Sequence, residues 1–116
     1  LNWNFIEGEG VEALAASETL SNLTQLTLTF NPIGLRGAEA IAGSENFRNL
    51  TLIDLYEAEL GSMGARVLAE STNLPNLETL VLIHNDVSDG VQALFKDNKN
   101  FPKLKDVYFY KAKAEA

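Results

Sequence analysis

The sequence contains no cysteine, which excludes a disulfide framework and any thiolate metal site. Histidine is nearly missing as well. With His84 alone, a centre built from several imidazoles is excluded, and a catalytic His–Cys pair has no thiol to use. No apolar run approaches the roughly 20 residues that span a bilayer, and no signal peptide is visible. Positive charge is scarce: nine Lys and Arg stand against 16 Asp and Glu, a net charge of −7. We therefore expect neither nucleic acid nor a membrane surface as partner. Six of the nine basic residues (Lys96, Lys99, Lys103, Lys105, Lys111 and Lys113) crowd into the last stretch, which reads as a solvated end of the molecule. The missing cysteine and signal peptide lean towards the cytoplasm and leave the compartment open.

What the chain has instead is ordinary composition and a repeat. Its 116 residues, 46% hydrophobic and 22% charged, are enough for one folded domain with a continuous core. Leu23, Leu50, Leu77 and Leu104 recur at intervals of 27. Leu26, Ile53, Leu80 and Val107 keep that interval, as do Leu28, Leu55, Leu82 and Phe109. One period upstream, Leu1, Asn4, Ile6 and Gly10 fall under Leu28, Asn31, Ile33 and Gly37. The second half of each unit keeps the register through Leu14, Ile41, Leu68 and Phe95, without a gap.

Within a unit the hydrophobic period changes. "LTQLTLTF" alternates apolar and polar residues, which predicts a strand with one buried face. "GLRGAEAIA" spaces its apolar residues by three and four, which predicts a helix, with Gly and Ala where it approaches a neighbour closely. Asn31 and Asn85 stand where strands end, suited to bonding the backbone of neighbouring turns. A strand of about 3 to 5 residues, a turn and a helix of about 8 to 12 fill the unit. One such unit cannot bury its own apolar face, but stacked units can. Helices are about 10 Å wide and strands about 4.8 Å apart, so the stack curves with its sheet inside. We expect a single domain over 1–116, comprising a partial repeat 1–22, repeats 23–49, 50–76 and 77–103, and a terminal strand and tail 104–116. Opening inside a repeat, it reads as a piece of a longer array.

The pattern LxxLxLxxN, present as "LTQLTLTFN" and "LETLVLIHN", resembles the leucine-rich repeat family. The continuations "IGLRGAEAIA" and "LGSMGARVLA" resemble its ribonuclease-inhibitor-like subfamily. The resemblance implies an α/β fold: a right-handed leucine-rich-repeat solenoid arc, a short parallel β-sheet on the concave face and α-helices on the convex face. It also implies protein recognition, mostly by the concave sheet and adjoining loops, and no single activity. Two departures stand out. Ala58 and Ala112 replace the Asn, so those turns are expected to lose side-chain bonds. In "VSDGVQALF" Val91 takes the Gly column, which shifts the start of the third full helix, with Ser88 as its N-cap.

The leucines of each strand point inward, so the residues between them line the concave face. One outward column reads Thr27, Asp54, Val81, Tyr108. The next reads Asn2, Thr29, Tyr56, Ile83, Tyr110, and a third reads Trp3, Phe30, Glu57, His84, Lys111. Trp3, Phe30, Tyr56, Tyr108 and Tyr110 are five of the ten aromatics. At about 150–250 Å² each when covered, they approach the roughly 800 Å² per partner of a standard interface. The expected partner-binding set is Trp3, Thr27, Phe30, Asp54, Tyr56, Glu57, Val81, Ile83, His84, Tyr108 and Tyr110, facing a protein partner. Self-association, through the uncapped N-terminal edge or through the aromatic stripe, is the structural alternative. A GTPase-regulating role resembling that of the Ran GTPase-activating proteins is another. The register sends Arg36 and Arg66 towards the helices, away from the rim where such a role needs them.

Other signals have simpler explanations. In "HNDVSDG" an EF-hand register puts Val87 and Lys96 at ligand positions, which that chemistry forbids. The glycosylation triplets at Asn22 and Asn49 fall in one repeat column, which explains both. There is no nucleophile beside His84 and no Gly-rich phosphate loop after a strand, so no enzyme and no cofactor are expected.

Overall fold

The computed structural model describes residues 6–110. The alternating segments form strands of three residues: β1 (Gln25–Thr27), β2 (Leu52–Asp54), β3 (Thr79–Val81) and β4 (Asp106–Tyr108). They build one parallel sheet in chain order, and the pairing advances by one period at every step. Leu26 lies beside Ile53, Ile53 beside Leu80, and Leu80 beside Val107. The small-residue segments form helices α1 (Gly8–Ala15), α2 (Gly34–Gly43), α3 (Gly61–Ala69) and α4 (Asp89–Gln92). A parallel sheet alternating with helices is the expected α/β arc.

The core runs unbroken between the two layers. Leu28, Ile53, Leu55, Leu80 and Leu82 enter it from the sheet, Ile33 and Leu60 from the loops, and Ala38, Ile41, Ala65 and Leu68 from the helices. Phe47, Leu50, Leu74 and Leu77 close it on the return segments. Each fully buried Leu, Ile or Phe contributes roughly 1.5–3 kcal/mol, against the entropy cost of ordering the chain. Gly37 and Gly64 let α2 and α3 sit directly on the loops that lead into them. A Cβ at position 37 would stand 2.5 Å from the Ile33 Cβ, and one at position 64 would stand 3.0 Å from the Leu60 Cβ.

The third full helix is shorter than its pattern predicts. Gly34 and Gly61 open α2 and α3 with φ of +60° and +64°; Ser88, in the same column, is extended and caps α4 by accepting the Val91 N–H. Val91 then occupies the column of Gly37 and Gly64, where a side chain does not fit the flush packing seen in α2 and α3. The segment is α-helical only to Gln92 and continues as a 3₁₀ turn over Ala93–Phe95.

Polar ladders join successive units, among them one at the helix exits and one at the strand exits. At the helix exits, Ser44 Oγ and Asn46 Nδ2 both donate to the Ala15 carbonyl, at 2.6 and 2.9 Å. Ser71 and Asn73 repeat this on Ala42, and Asn98 donates to Ala69. At the strand exits, Asn85 Oδ1 accepts from Ala58 N–H and Leu60 N–H, and its Nδ2 donates to the Leu55 carbonyl. Asn31 serves Ile6 N–H in the same way. Each asparagine therefore completes the turn one unit upstream. This relocates the expected loss at Ala58: its own turn is bonded by Asn85, and the turn that receives no asparagine from the next unit is the one at 31–33. There Asn31 N–H donates to the Leu28 carbonyl and Ile33 N–H to the Asn31 carbonyl. The turn around Ala112 lies outside the described residues.

Candidate partner-binding face

The sheet register sets the face. Leu26, Ile53 and Leu80 are buried, while Thr27, Asp54 and Val81 beside them are half-buried and turn outward. Pairing also continues past the assigned strands. Leu28, Leu55 and Leu82 N–H donate to the carbonyls of Asp54, Val81 and Tyr108, and Phe30 and Glu57 N–H donate to those of Tyr56 and Ile83. Tyr56 and Ile83 are thus held almost as firmly as strand residues.

Beyond them the backbone turns sharply. Phe30, Glu57 and His84 occupy one repeat column and all three are left-handed, with φ of 62°, 51° and 58°. For a residue with a Cβ this costs about 1–2 kcal/mol, held here by the hydrogen bonds on either side. Three aromatic rings meet at this edge. Phe30 and Tyr56 lie 5.1 Å apart between centroids, and Tyr56 meets His84 edge-on at 5.2 Å. These separations are those of favourable aromatic pairs.

Because the rings lean on one another, the aromatic surface is less open than the sequence pattern implies. Phe30, Tyr56 and Tyr108 are half-buried; Tyr110 is the exposed one, at 59%. Thr29, expected to point outward, is buried. Val81 and Ile83 are half-buried, while Glu57 and His84 are exposed. Trp3, Asn2 and Lys111 lie outside the described residues, as does the N-terminal edge. A cleft of about 430 Å³ lies beside Ile83, His84, Val87, Gln92 and Tyr110, where the Gln92 amide donates to the Val87 carbonyl and the Tyr110 hydroxyl.

Asp54 is the acid closest to the middle of the face. Its Oδ1 accepts Tyr56 N–H at 3.1 Å. Burial pushes its carboxyl above the ordinary value of 3.8, and the Tyr56 N–H pulls weakly the other way. Neither Asp54 nor Glu57 has a cation partner among the described residues. Arg36 is held on the helical side by a two-pronged bond to Glu12, at 2.7 and 2.8 Å, with Glu9 at 3.5 Å. Arg66 lies in α3. Among the described residues, no group of three or more acidic or histidine side chains converges to hold a metal, and no helix is long and apolar enough to cross a membrane.

The helix-exit ladder of Ser44, Asn46, Ser71, Asn73 and Asn98 was not foreseen from the sequence, although its members also recur at 27. The left-handed column had no such signal, since Phe, Glu and His do not announce a positive φ as Gly does.

A family model for the leucine-rich repeat matches residues 19–42. No curated protein matches the chain. The matched stretch runs from the turn before β1 to the end of α2. The parallel sheet alternating with helices is consistent with a leucine-rich-repeat arc. Such repeats typically serve as non-enzymatic scaffolds, and this one points to a protein–protein interaction module.

Proposed function

We propose that the chain is a protein-recognition module of the ribonuclease-inhibitor-like kind, holding its partner against the concave sheet face. The full-length helices α2 and α3 support the subfamily. The observation that carries the binding reading is the ring series Phe30–Tyr56–His84, fixed at consecutive strand exits beside half-buried Val81, Ile83 and Tyr108. Large side chains held rigid before binding lose little entropy on contact, and Tyr is enriched at binding hot spots. Glu57, His84 and Tyr110 form the polar rim, and Thr27 and Asp54 the floor. Trp3, in the repeat column of Phe30 and His84, belongs to the proposed set by its place in the sequence. The GTPase-regulating alternative gains no support, since Arg36 is already engaged by Glu12 on the helices.

Peptides selected from a random display library against this chain provide the test. We expect Tyr56→Ala to weaken selected binders by about thirtyfold, the loss of a residue worth roughly 2 kcal/mol. Met63→Ser, on the helical face and 63% exposed, should leave them unchanged. Binders sensitive to Met63→Ser and indifferent to Tyr56→Ala would refute the proposal.

A further inference from the structure

Among the described residues, the charged side chains of the sheet face are acids. Its described columns carry Asp54, Asp106 and, at the strand exit, Glu57, and no Lys or Arg. The described lysines, Lys96, Lys99, Lys103 and Lys105, stand elsewhere, on the return that leads from α4 to β4. Asp54 is unusual among the acids. It is half-buried within the face, pressed towards its neutral form by that burial, and uncompensated by any described cation. Tyr56, whose N–H is bonded by Asp54, follows it in the chain and presents a ring flanked by Phe30 and His84. A carboxylate at the foot of an aromatic series is the pairing that suits a cationic side chain. The acid supplies the countercharge, and the ring faces attract a guanidinium or ammonium within about 6 Å.

Resting on the recognition reading above, we infer that the partner presents a cationic segment to this face, seating an Arg or Lys against Asp54 and Tyr56. Apolar neighbours in the segment rest on Val81 and Ile83. A neutral or acidic segment leaves the Asp54 carboxylate half-buried and unpaired, and a partly desolvated charge without a partner is costly. The face thereby discriminates by sign as well as by shape.

The test uses three short peptides of equal length, alternating Val with Arg, with Gln or with Glu, each titrated into the isotopically labelled chain and followed by amide chemical shifts. We expect the Arg peptide to move the amides of residues 54–57 and 81–84, more weakly as salt is added. The Gln peptide should bind less tightly and the Glu peptide not at all. Asp54→Asn keeps the acceptor for Tyr56 N–H while removing the charge. It should weaken the Arg peptide about tenfold or more, the equivalent of roughly 1.4 kcal/mol; Glu57→Gln should weaken it less. If the Gln peptide binds the same amides as tightly as the Arg peptide, the charge inference is wrong and the recognition face stands. If the Arg peptide does not bind, or is indifferent to Asp54→Asn, the inference is again overturned. If bound peptides move only amides near Glu9, Glu12 and Glu39 on the helices, both readings fall.

Discussion

Replacing Asn85 by alanine should be among the most damaging single changes in this chain. Asn85 is 3% exposed. Its Oδ1 accepts Ala58 N–H at 2.9 Å and Leu60 N–H at 3.1 Å, and its Nδ2 donates to the carbonyls of Leu55 at 2.7 Å and Ile83 at 3.2 Å. Leu55, Ala58 and Leu60 are themselves no more than 3% exposed, so water does not reach the groups that Asn85→Ala strands. Each unpaired buried group costs about 1–3 kcal/mol, which puts the ceiling for two donors and one acceptor at roughly 3–9 kcal/mol. The turn one unit upstream shows how much is recoverable. There, with Ala58 in the asparagine column, Asn31 and Ile33 N–H find the carbonyls of Leu28 at 3.3 Å and Asn31 at 2.8 Å. A similar tightening around residues 58–60 would rescue part of both donors, leaving a net loss of about 2–4 kcal/mol. That is a large share of the roughly 5–15 kcal/mol that holds a domain folded. In urea, with a slope of about 1–3 kcal/mol per molar, the midpoint should fall by about 1–2 M. Hydrogen exchange at the amides of Ala58 and Leu60 should accelerate at the same time. A midpoint shift below about 0.3 M, or undiminished protection of those two amides, would refute the argument. Conversely, Ala58→Asn should supply the turn at 31–33 with the side chain it lacks, raising stability by about 1 kcal/mol.

Two glycines should respond in opposite directions to alanine. Gly37→Ala drives a Cβ to within 2.5 Å of the Ile33 Cβ and should cost about 1–3 kcal/mol. Gly90→Ala, within α4 and with nothing in reach of the new Cβ, should gain about 0.5–1 kcal/mol; both are read from urea midpoints. Asp54→Asn should change the pH dependence of stability. The raised carboxyl binds its proton more readily folded than unfolded, so its charge destabilises the fold at neutral pH, and relief comes as the pH falls through the folded value. The variant should therefore be the more stable protein at neutral pH, with an advantage that shrinks to nothing below the ordinary value of 3.8. An advantage that grows in acid would contradict this. Glu12→Gln should behave oppositely. The Arg36 bond holds the Glu12 carboxyl below its ordinary value, so the pair helps above that value and its help is lost in acid.

The strand columns were legible because the repeat runs without a gap: once Leu26, Ile53 and Leu80 align, Thr27, Asp54 and Val81 must share the opposite face. The start of α4 carried a visible warning in Val91, but its early unwinding depended on how closely Ile33 and Leu60 approach Gly37 and Gly64. That is a distance no spacing reveals. The half-burial of Phe30 and Tyr56 was hidden for a similar reason. A column assigns each residue a face, whereas ring contacts between neighbouring units depend on the left-handed backbone at Phe30 and His84. Asn31 and Asn85 were read correctly as turn residues bonding neighbouring turns. Which turn each one completes follows only from the depth of the stack, and so the effect of Ala58 appears one unit away from the substitution.

The central claim is that the aromatic sheet face is open to a different molecule rather than buried between copies of this chain. Light scattering on the parent and on Tyr56→Ser/Tyr108→Ser, at one concentration, tests it most directly. The account predicts that both run at the mass of one chain, 12.7 kDa, with the variant less stable by about 1–3 kcal/mol, its two lost ring contacts at about 0.5–1.5 kcal/mol each. A parent of twice that mass that falls to one chain in the variant would make the stripe a self-association surface and contradict the recognition reading.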